Sequence, residues 1–130
     1  MITGTVNADR EAVIRLGVRD VNGHGHDCDA IVDTGFNGWL TLPPGFIAML
    51  GLRWMRVGTA VLADGRQAFF DIYEAAVLWD GQPMMIPVDE AASEPLLGMS
   101  LMYGYELNIQ TVGGGAVTLK RLAGASTAIS

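Results

Sequence analysis

The chain has 130 residues, 50% of them hydrophobic and 17% charged, enough apolar surface for one domain with one core. Its formal net charge is −6 and no basic block occurs, which argues against nucleic acid as a partner. No run approaches the roughly 18 uninterrupted apolar residues of a membrane helix, so no membrane association is expected.

Met1-Ile2-Thr3-Gly4-Thr5-Val6 lacks the basic and apolar segments of a signal peptide. The lone cysteine, Cys28, has no partner for an intramolecular disulfide, and a cytoplasmic location is expected. Residues 11–20 predict a strand, because Ile14, Leu16 and Val18 alternate with Arg15, Gly17 and Arg19. Asn22-Gly23 tolerates positive φ and predicts a tight reversal into a second strand over 27–32, which ends on Asp33-Thr34-Gly35. A short third strand is expected over 38–42. Pro43-Pro44, followed by Phe46, Ile47, Met49 and Leu50, predicts one or two helical turns capped by Gly51.

From 55 to 73 the pattern is extended again, broken by Asp64-Gly65, a strong hairpin signal. A turn over 80–83 separates strands at 75–79 and 84–88. Residues 90–94 read as a polar loop, Pro95-Leu96-Leu97-Gly98 as a short apolar strand, and 99–103 as a helical turn closed by Gly104. A final hairpin pairs 106–111 with 116–121 across Gly113-Gly114-Gly115, and 123–130 reads as a flexible tail. Many short strands with little helix predict an all-β barrel or sandwich, organised as one domain over 1–122.

The chemistry-bearing feature is an acid set between an apolar strand and a glycine corner. Ala30-Ile31-Val32 anchors the segment, Gly35 lets the backbone turn and leaves room for another segment, and the Thr34 hydroxyl can tie one such loop to another. Alone, Asp-Thr-Gly is a weak signal that also fits an acid capping an ordinary turn. Three pieces in order add weight: Val32-Asp33-Thr34-Gly35-Phe36-Asn37-Gly38, then Leu62-Ala63-Asp64-Gly65, then Pro95-Leu96-Leu97-Gly98-Met99. In this order the chain resembles the retropepsin-like aspartic peptidases, in particular their small single-lobe prokaryotic members, from about residue 4 to 121.

The resemblance implies a closed β-barrel of the acid-protease type with one or two short helices. It implies that Asp33 is the catalytic carboxylate, with Thr34 and Gly35 completing the active-site loop. Phe36 and Asn37 would meet substrate, Ala63, Asp64 and Gly65 would form the tip of a flap, and Leu96, Leu97 and Gly98 would support the loop from beneath. The reaction needs two aspartates and the chain carries one such motif, so a homodimer acting on a peptide or protein substrate is implied. Two adjacent carboxylates share a proton, one serving as general base on water and the other donating to the substrate carbonyl. No cofactor and no metal are expected. Phe36-Asn37 departs from the small and acidic residues usual in retroviral enzymes, which leaves the grip on substrate backbone open.

Two other functions fit the same residues. The fold could serve as a non-catalytic module that binds a peptide or protein. His24, His26 and Cys28, at alternate positions, could instead share one strand face and bind zinc, although no fourth ligand is evident.

Overall fold

A computed structural model describes residues 1–124. The fold is all-β with two short helices, in the order β1 (Ile2–Val6), β2 (Ala12–Arg19), β3 (Gly25–Val32), β4 (Leu40–Leu42), α1 (Pro44–Leu50), β5 (Arg53–Val61), β6 (Gln67–Trp79), β7 (Gln82–Glu90), β8 (Leu96–Leu97), α2 (Met99–Met102), β9 (Tyr105–Ile109) and β10 (Ala116–Arg121). The strands form one sheet in the order β5-β6-β7-β4-β8-β3-β2-β1-β10-β9, and β6 pairs in addition with β2. No helix among the described residues is long and apolar enough to cross a membrane.

The period of two in β2 does what its sequence dictates. Ala12, Ile14, Leu16 and Val18 are buried, whereas Arg15 and Arg19 are exposed. They meet Cys28 and Ala30 of β3, Val77 and Trp79 of β6, Ile86 and Val88 of β7, and Val117 and Leu119 of β10 in one core cluster. The chain reverses between β2 and β3 at Gly23 (φ 83°), where the Asp20 carboxylate accepts the backbone N–H groups of Asn22 and His24. Pro44 opens α1 and Gly51 closes it in the left-handed region (φ 67°).

Several expectations shift. The first residues form a strand, β1, that had no sequence reading, because Gly4 interrupts its apolar alternation. A Cβ at Gly4 would lie 2.0 Å from the Val13 carbonyl oxygen, so the close packing of β1 on β2 requires glycine. The segments at 55–73 and 75–79 do not divide where expected: β6 runs unbroken for 13 residues and pairs first with β5 and then with β7. The third strand is shorter than expected because the Gly38 and Trp39 carbonyls bond to Ser100 and Gly98 at the start of α2 rather than to a strand. β7 extends through Glu90, which leaves a shorter loop before β8. Strand β9 begins at Tyr105 and ends at Ile109, with Gln110 turning to bond Ala116. Of the tail expected over 123–130, residues 125–130 lie outside the described residues.

Candidate active site

Asp33 follows the last residue of β3, and three sets of bonds hold it. Its N–H donates to the Leu97 carbonyl (3.0 Å), its own carbonyl accepts the N–H of Phe36 (3.2 Å), and its Oδ1 accepts the N–H of Gly35 (2.9 Å). The second is an ordinary backbone β-turn bond and the third an Asx turn. The first sets this loop apart. Strand β8 is inserted between β3 and β4, parallel to one (Ile31 with Leu96, Val32 with Leu97) and antiparallel to the other (Leu40 with Leu97). The loop and β8 are therefore joined by backbone hydrogen bonds. Asp33 is half-buried, and Thr34 and Gly35 are exposed.

The support is close-packed. Leu97 is fully buried. The N–H of Met99 donates to the Phe36 carbonyl (2.8 Å), and the Ser100 hydroxyl donates to the Asn37 carbonyl. The Phe36 ring lies over Gly38 and Gly98, within 2.7 Å of where a Cβ on either would stand. Phe36, expected at the substrate, thus packs against the loop's own support, while Asn37 is exposed. Leu96 is held through its N–H, which donates to the buried Thr41 hydroxyl (2.9 Å). Thr41→Val keeps the shape and removes that acceptor. It should cost about 1–3 kcal/mol of stability, the penalty for an unsatisfied buried donor, measurable by urea unfolding.

Ala63, Asp64 and Gly65 form the turn that joins β5 to β6, as expected. Gly65 has φ 85°, its N–H donates to the Leu62 carbonyl (2.9 Å), and Asp64 pairs with Arg66. These contacts are internal to the hairpin. The connection to the Asp33 loop is made lower down. Arg56, Ile72, Asp89 and Thr41 are successive register partners across β5, β6, β7 and β4, and partners share a sheet face. Next to this row Gly58 opposes Phe70, whose ring occupies the place of the missing glycine side chain. Ile72 is buried here, outside the main core cluster. At the other end of the row an Asp89 carboxylate oxygen is 3.5 Å from where a Cβ on Gly38 would stand. One face thus runs from the hairpin to the Asp33 loop.

Asp89 had no sequence reading. It is the first of two adjacent acids, Asp89-Glu90, that end an otherwise apolar strand, and the parallel pairing of β7 with β4 brings it beside Gly38. Burial raises its pKa, and the attraction of Arg56 offsets this only in part. Arg56 and Thr41 were missed for the same reason, since neither lies in a motif.

His24, His26 and Cys28 do not converge. His24 precedes β3, His26 Nε2 lies 2.8 Å from the Asp20 carboxylate, and Cys28 is buried against β2. Burial pushes the Cys28 thiol up to about 11. Among the described residues, no group of three or more His, Cys, Asp or Glu side chains is placed to hold a metal ion. Compared with known proteins, the chain matches no protein-family model and no curated protein.

Proposed function

We propose that the chain is a single-lobe aspartic endopeptidase of the retropepsin-like type, active as a homodimer in which two copies of Asp33 share one water and one proton. The observation that carries this reading is the Asp33 N–H bond to Leu97 on the inserted strand β8, which ties the acid rigidly to the core. An ordinary turn acid needs no such clamp, whereas a general base must keep its place to within hydrogen-bond reach of the water it activates. The barrel form is part of the same proposal. It is supported by the continuous ring of pairings β2-β3-β8-β4-β7-β6, closed where Gly17 and Val18 of β2 pair with Leu78 and Val77 of β6.

In this reading the Gly35 N–H holds Asp33 Oδ1 and orients the carboxylate. Two such acids side by side cannot both ionise readily, so the pair carries a single proton. The ionised member takes a proton from water as the water attacks the peptide carbonyl. The protonated member donates to the carbonyl oxygen, and proton transfer to the amine nitrogen completes the cleavage. The exposed Thr34 hydroxyl is available to bond across the two loops, and the hairpin ending at Ala63, Asp64 and Gly65 would cover bound peptide as a flap.

Because each copy supplies one acid, specific activity should rise with protein concentration and level off where sedimentation shows the dimer filled. A chain that sediments as a monomer at all concentrations and cleaves no peptide between acid and neutral pH would sink the enzyme reading. The same fold would then be read as a peptide-binding module.

A further inference from the structure

We propose that Asp89 is the specificity-determining acid of this site, selecting a Lys or Arg side chain on the peptide beside the Asp33 loop. The inference rests on the peptidase reading and adds the substrate class. Asp89 projects from the same sheet face as Arg56 and Ile72, the face that links the hairpin to the loop. Its carboxylate adjoins Gly38 and the Phe36 ring that fills the place of a Gly38 side chain, and Asp89 is only half-buried, which leaves the acid reachable from solvent beside the loop. Thr41, its other register partner, accepts the Leu96 N–H at its hydroxyl oxygen.

The carboxylate is only partly compensated within the chain. Burial is the largest influence on it, and among the described residues no hydrogen bond contributes and the opposing charge is that of Arg56. Arg56 is itself exposed. A partly desolvated acid without a donor favours any cation that can reach it, since charge-assisted hydrogen bonds are the strong ones. A substrate ammonium or guanidinium group meets that need, and the net charge of −6 attracts basic peptides to the molecule. Arg56 stands as the competitor for the same acid, and this gives the inference a second handle.

The full-length dimer is incubated with a degenerate peptide library and its cleavage products are sequenced. Paired peptides that differ only by Lys or norleucine at the selected position are then compared by kcat/KM. The wild-type chain should favour Lys or Arg at one position near the cleaved bond. Asp89→Asn should lower the Lys-to-norleucine ratio about tenfold, whatever its absolute rate. Arg56→Gln, which removes the competitor, should raise the ratio, an effect that a purely structural role for Asp89 would not produce. A ratio unchanged in Asp89→Asn overturns the inference and leaves the peptidase reading standing. If the wild-type chain cleaves no peptide, both are overturned.

Discussion

On the proposed peptidase reading, Asp33→Asn should lower peptide hydrolysis by a factor of about 10³ or more, the scale of a lost general acid–base pair, while the proposed dimer and the fold persist. In a homodimer the substitution removes both acids at once, so no ionisable group is left to take the proton from water. The fold should tolerate it because the Asn side-chain oxygen can still accept the Gly35 N–H, and the backbone bond from residue 33 to Leu97 is unaffected. Initial rates, sedimentation and a thermal melt on the same preparation separate the two effects. Hydrolysis at the wild-type rate in this variant would place the chemistry elsewhere.

Gly98→Ala should destabilise the fold by about 3 kcal/mol or more, at or above the upper end of ordinary overpacking. The backbone at Gly98, with φ −98° and ψ 173°, suits any residue, so conformational strain is not the cause. The cause is space. An added Cβ would lie 2.1 Å from the Gly38 carbonyl oxygen and 2.7 Å from the Phe36 ring. That carbonyl cannot swing away without losing the Ser100 N–H (3.0 Å), and residue 98 cannot retreat without losing its bond to Trp39 (3.0 Å). Urea unfolding measures the loss. Gly45→Ala, where a Cβ meets nothing within 4 Å, is the control and should change stability by less than about 1 kcal/mol. Equal stability in the two variants would mean that the Asp33 loop and α2 are not clamped together.

Both predictions depend on the same small region, which was only partly legible in the chain. The strand before Asp33, the glycine corner after it and the apolar Leu96-Leu97 pair were readable because each is a local pattern of a few residues. The contact between them was not. Gly98 looked like the end of a short strand, and nothing nearby in sequence reports that its missing side chain makes room for Phe36 and the Gly38 carbonyl. Phe36 itself was assigned to substrate because it follows the motif, yet its ring packs on the loop's own support. The hairpin tip at Asp64-Gly65 was readable from its turn residues, whereas the row from Arg56 to Thr41 was not, since its members come from four strands.

The residues themselves determined the local grammar of this protein. Alternating apolar positions made β2, residues that accept positive φ placed its reversal at Gly23 and the hairpin turn at Gly65, and Gly51 ended α1. They also singled out Asp33 as the acid to examine. Tertiary structure alone decided how that acid is held and which acid stands beside Gly38 in the segment that follows it. Thr41 captures the Leu96 N–H across 55 residues of chain, β8 enters between β3 and β4, and Asp89 is carried to Gly38. Such placements follow from which strands pair and in what register. Those pairings are set by burial of the whole sheet against one core, and no short window of sequence contains that information.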